Sequence, residues 1–167
     1  MGNGSILEGT SLEIGGLMQQ DTSGNIEHLR KKTTNQQDDG VDYERVIKSG
    51  TDYFKYLRKL KMEEKMTKKG VVYGQDKNYN GKLPTKELVK AINKLKKRYQ
   101  DHSDDTTTVI GFEINGGDGL TSTGSVVMTE FQEWSREKGM DAEYNSNDDL
   151  RNIKQRLRNN VDNKNGN

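Results

Sequence analysis

The sequence predicts a mainly α-helical domain with a short two-stranded β bridge and flanking helices, preceded by a disordered N-terminal region. Three observations predict it. Only 29% of the 167 residues are hydrophobic and 32% are charged, so the core is small and part of the chain is solvated. Apolar residues recur at three- and four-residue steps in several long stretches. Between those stretches lie only short β-branched runs.

Residues 1–40 are rich in Gly, Ser, Thr, Asn and Gln, as in "TTNQQDDG". Ile6, Leu7, Leu12, Ile14, Leu17 and Met18 set no long period there, so this region is expected to be disordered, with a short helix near 26–32. Asp42 opens a helical pattern carried by Tyr43, Val46, Ile47, Tyr53, Phe54, Leu57 and Leu60. Gly50 interrupts it and Gly70 stops it. "GVVYGQ" reads as an extended segment. "PTKELVKAINKLKKRYQ" is helical, with Leu88, Ala91, Ile92, Leu95 and Tyr99 on one face. "VIGFEI" is a short strand and "NGGDGLTSTGS" a glycine-rich loop. "MTEFQEWSREKG" is a helix with Phe131 and Trp134 inward and Gly139 at its end. "SNDDLRNIKQRLRNNV" is the last helix, where Ser146 and Asp149 have capping-box spacing. The domain therefore spans 41–162, and 163–167 form a disordered tail.

Composition excludes several function classes. Lys and Arg number 27 against 26 Asp and Glu, and a net charge of +1 gives the whole chain no drive toward nucleic acid or an anionic membrane. The expected partner is therefore a protein and not nucleic acid. The absence of cysteine removes thiolate metal sites, disulfides and cysteine nucleophiles. His28 and His102 lie far apart in polar surroundings, against a zinc site or a serine–histidine triad. No apolar run reaches the ~20 residues of a membrane span. No leader pattern is present, so the expected location is the cytoplasm or the outside of the cell by a route without a cleaved signal.

The stretch "DKNYNGKLPTKE", Asp76–Glu87, carries the chemistry. A hard divalent cation takes six to eight oxygen ligands, and a loop wraps it when alternate side chains point inward and a glycine allows a sharp turn. Asp76, Asn78 and Asn80 stand at the first, third and fifth places, Gly81 at the sixth, the Lys82 carbonyl at the seventh and Glu87 at the twelfth. Glu87 also lies in the first turn of a helix, where the dipole favours an anion. Pro84 supplies no side-chain oxygen at the ninth place, and only two ligands are charged, so affinity for Ca²⁺ should be modest.

This register resembles the EF-hand calcium loop. The resemblance implies a second hand, and "GSVVMTEFQEWS" laid on "GKLPTKELVKAI" supplies one that is degenerate: Gly124 meets Gly81, Val126 meets Leu83 and Glu130 meets Glu87, but no carboxylates stand at the first three ligand places. It implies an antiparallel bridge between Leu83 and Val126, and a non-enzymatic calcium sensor or calcium-stabilised interaction module. The stretches "EFQEWSREKGM" and "NDDLRNIKQRLRNNVD" also resemble parts of bacterial type III secretion filament and needle-tip proteins. That likeness implies an exported interaction or structural protein as the alternative. An enzyme is not expected, because Glu113, Asp118 and Glu130 show no arrangement around a cleft.

Overall fold

The computed structural model describes residues 3–30, 41–48 and 68–166. In chain order these form α1 (Asn3–Asp21), β1 (Ile26–Arg30), β2 (Tyr43–Ile47), β3 (Lys69–Asp76), α2 (Thr85–Gln100), β4 (Thr107–Asn115), α3 (Ser122–Glu137), β5 (Asp141–Asn145) and α4 (Asn147–Asn165). The strands make one five-stranded sheet in the order β1-β2-β3-β4-β5. β1, β2 and β3 pair antiparallel, whereas β3–β4 and β4–β5 are parallel. Parallel neighbours need a crossover, and α2 and α3 supply the two.

Helices cover both faces of the sheet. On one side α2 and α3 bring Leu88, Leu95, Met128 and Phe131 against Tyr73, Phe112 and Ile114. On the other, α1 and α4 bring Ile14, Met18, Leu150 and Leu157 against Ile26, Ile47, Val72 and Ile110. β3 is consequently buried on both faces from Gly70 to Gln75, which is why its sequence reads as a continuous apolar run. Gly74 is required there, because a Cβ at that position would stand 2.0 Å from the Tyr43 ring.

The fold is α/β, not mainly α with a two-stranded bridge. Tyr43, Val46 and Ile47 mimic a helical step, but the segment pairs as β2, with Tyr43, Arg45 and Ile47 buried alternately. The remainder of the expected helix from Asp42, residues 49–67, lies outside the described residues. The region expected to be disordered contributes α1 and β1, and Ile14 is only 3% exposed. Residues 31–40 lie outside the described residues. Leu83 does form an isolated bridge, but a parallel one with Leu120. Val126 is 59% exposed on α3. The other helices follow the apolar stripes of the sequence, and Ser146 and Asp149 close a full capping box at the start of α4. β5, with a single buried apolar residue in Ala142, carries no strand pattern in the sequence.

Ile14→Ala is expected to cost about 2–5 kcal/mol, the range for removing a buried branched side chain. Urea unfolding measures it, and a change below the error of the midpoint would show that α1 does not dock on the sheet.

Candidate functional site

Five elements meet in a polar network on the α1 side of the sheet. The Arg45 guanidinium on β2 donates through Nη1 to both carboxylate oxygens of Glu113 on β4, at 2.7 Å each. Tyr43 Oη donates to Glu113 Oε1 at 2.5 Å. Asn115 Nδ2 donates to Tyr43 Oη at 2.9 Å and to Asp76 Oδ1 at 3.0 Å, and Ser11 on α1 also donates to Asp76 Oδ1. Asn145 Nδ2 on β5 donates to Asn115 Oδ1 at 2.9 Å. Burial, reinforced by the Glu113 charge, holds the Tyr43 phenol well above its ordinary pKa, so it is the donor toward Glu113. The network lines a cavity of about 530 Å³ whose opposite walls are Ile14, Met18, Leu150 and Leu157.

This network decides where the predicted ligand residues go. Asp76 is the last residue of β3, and its side chain is held on the sheet by Ser11 and Asn115. A strand, not a helix, enters the loop. Asn78 is half-buried, and Asn80 and Lys82 are exposed. The loop backbone is tied to the 116–120 loop: Lys77 N–H donates to the Asn115 carbonyl, Asp118 N–H to the Gly81 carbonyl and Leu83 N–H to the Gly119 carbonyl. Gly117, at φ +77°, packs so closely on this loop that a Cβ would lie 2.9 Å from Leu83 N. Glu87 stands in the first turn of α2, 3.4 Å from Lys90 Nζ. Among the described residues no group of three or more His, Cys, Asp or Glu is placed to hold a metal ion. The calcium-binding EF-hand reading is thereby overturned, and with it the paired-hand architecture.

A different set converges instead. The register Tyr43↔Gly74, continued by one residue, sets Asp42 against Gln75. The Asp42 carboxylate accepts the Asp76 N–H at 2.7 Å, closing the end of the β2–β3 ladder where a backbone carbonyl would otherwise be needed. Side chains alternate along a strand, so fixing Asp76 on the α1 face sends Gln75 and Lys77 to the α2 face. Gln75 is 2% exposed there, and Lys77 is half-buried. Burial, with the charge of Lys94 beside it, lowers the Lys77 pKa against the opposing pull of Glu87 and Asp42. Burial works against ionisation of Glu87, yet the hydrogen bond and charge of Lys90, with Lys77 and Tyr79, keep its carboxyl below the usual range. One ammonium thus feels two carboxylates and follows a buried amide by two residues, at the carboxyl end of a central strand. That end is where open α/β sheets place ligands. Sequence reasoning missed Asp42, Gln75 and Lys77. The available signal was a Gln-x-Lys pair ending an otherwise apolar strand.

No protein-family model matches the chain, and no curated protein matches it. Neither the EF-hand nor the type III secretion resemblance is therefore sustained. The chain is similar to a solved structure of MspJI restriction endonuclease in complex with a 27-mer oligonucleotide, with 10% identity and a TM-score of 0.45, over 96% of this chain. The chain spans 29% of that protein's length. The exclusion of nucleic acid, drawn from net charge alone, does not stand: the +1 is a sum over the whole chain, and exposed Lys86, Lys90 and Lys94 recur on one helix. Among the described residues no helix is long and apolar enough to cross a membrane.

Two stability effects follow from these charges. Glu113→Ala leaves the Arg45 guanidinium, 4% exposed, without its carboxylate and should cost about 3–5 kcal/mol in urea unfolding. Lys77 binds its proton less tightly in the folded chain than in the unfolded one. The unfolded chain then holds more protons between the lowered folded pKa and the ordinary ~10.4, so this group's contribution to stability rises with pH across that window. Lys77→Met removes the cost present at neutral pH. Its melting temperature should equal or exceed that of the parent at pH 7, and a clear fall would refute the assignment.

Proposed function

We propose that the chain hydrolyses phosphodiester bonds at the Asp42–Gln75–Lys77–Glu87 cluster. The observation that carries this reading is the Lys77 ammonium, half-buried just past the carboxyl end of β3, where the Glu87 and Asp42 carboxylates both act on its charge. Phosphoryl transfer asks little covalent chemistry of a protein; it asks for positioning and for stabilisation of charge on the phosphoryl oxygens. A lysine in partly dehydrated surroundings is a strong point charge for such an oxygen. With its pKa lowered it also gives up a proton more readily to a leaving oxygen. A carboxylate at hydrogen-bond distance from a water orients that water for attack, and Asp42 and Glu87 both act on the charge of Lys77. Lys82, Lys86, Lys90 and Lys94, all exposed on the loop and helix that follow Lys77, favour an anionic substrate.

Hydrolysis of supercoiled plasmid and of bis-p-nitrophenyl phosphate, each with and without Mg²⁺, tests the proposal. Lys77→Met and Asp42→Asn should each lower the rate by roughly 10²-fold or more while the protein stays folded. Turnover that survives both substitutions undiminished, or none by the parent in any of these conditions, overturns it.

A further inference from the structure

The exposed lysines of α2 form a stripe. Lys86, Lys90 and Lys94 recur every four residues, so they lie on one face about 6 Å apart along the axis. Lys90 Nζ lies 3.4 Å from Glu87 Oε2, which places the stripe beside the proposed site. The opposite face of α2 is sealed into the core by Leu88, Ala91, Ile92 and Leu95. Among the described residues Lys86 and Lys94 form no ion pair, and Lys90 meets only Glu87. Four of the five cations of α4 differ. Lys154 and Arg158 engage Glu13, Lys164 engages Asp21 and Arg151 engages Asp148.

We infer that this stripe binds a nucleic-acid backbone and lays one strand across the Asp42–Lys77 cluster, an inference that rests on the hydrolysis reading for the strand's destination. Three like charges in a row repel one another, and a polyanion relieves that repulsion at every step. The stripe spans about 12 Å, a length over which one strand of duplex DNA carries about three phosphates. A single small phosphate could engage only one end of it. The partner is therefore a polymer of phosphodiesters, and its contacts with α2 are to phosphates and carry no sequence preference.

Binding of the intact protein to a labelled duplex, and to a single strand of the same sequence, is followed by fluorescence anisotropy in EDTA across a salt series. Each neutralised phosphate contributes about 0.9 to the slope of log K against log salt for duplex and about 0.7 for single strand. The triple variant Lys86→Gln, Lys90→Gln, Lys94→Gln should flatten the slope by about 2.7 on duplex, or about 2 if the single strand is the bound form. A control triple, Arg151→Gln, Lys154→Gln, Lys164→Gln on α4, removes the same charge and should leave the slope unchanged. Equal slopes in the parent and the α2 triple, or equal flattening by both triples, overturn the inference. Melting temperatures confirm that the variants are folded, and these exposed positions lie outside the core. The measurement needs no turnover. A flattened slope with no hydrolysis by the parent therefore sustains the surface and removes the hydrolysis reading, while hydrolysis with an unchanged slope does the reverse.

Discussion

The hydrogen-bonded row from Arg45 through Glu113, Tyr43 and Asn115 to Asp76 and Asn145 is the constraint on which the rest of the structure depends. It joins β2, β3, β4 and β5 on the α1 face, and Ser11 adds α1. Burying such groups is costly unless each is matched, so the network is satisfied in one strand register only. A slip of one residue in β3 would turn Asp76 into the apolar layer under α2 and withdraw Gln75 and Lys77 from it. The site on one face is thus held in place by the polar row on the other.

The same alternation explains why the calcium-loop reading failed. The spacing of Asp76, Asn78, Asn80, Gly81 and Glu87 is real, but spacing makes an ion cage only when the first acid is at liberty to turn inward. Here that acid ends a buried strand and accepts hydrogen bonds from Ser11 and Asn115. The asparagines and glycine that follow serve the turn from β3 into α2, as such residues commonly do. The loop's backbone is also tied to the neighbouring 116–120 loop, with the Gly81 carbonyl accepting from Asp118 N–H and Leu83 N–H donating to the Gly119 carbonyl.

What was legible in the sequence was whatever buries an apolar stripe. β3, α2, β4, α3 and α4 carry such stripes, although α3 begins at Ser122, inside the stretch expected to be a glycine-rich loop, and α4 runs on to Asn165. β2 does not, because its inward face alternates Tyr43, Arg45 and Ile47, and an inward arginine hides the strand period. α1 is rich in Gly, Ser and Thr and buries only a few large side chains, so by composition it resembles a solvated segment. The cluster at Lys77 was illegible for a different reason. Asp42 and Gln75 are far apart in the chain and meet only through the β2–β3 register, which no local pattern encodes. Net charge misled in the same manner: a total of +1 averages over cations engaged by acids, such as Lys154 and Lys164 on α4, and exposed ones such as Lys86 and Lys94 on α2.

The polar row also sets an order of events during synthesis. Tyr43 and Asn115 are separated by 72 residues, and Ser11 and Asp76 by 65. α1, β1 and β2 therefore leave the ribosome with the partners of their polar groups still untranslated. At about 5–20 residues per second the wait for β4 lasts roughly 4–14 s. Throughout that interval the buried arginine of β2 has no acid to meet, and β3, once translated, has unpaired backbone on the side that β4 will later occupy. Closure of the sheet is a late and non-local event, of the kind that slows folding. The nascent N-terminal third of this chain is accordingly its most aggregation-exposed state, and one that a chaperone has several seconds to recognise.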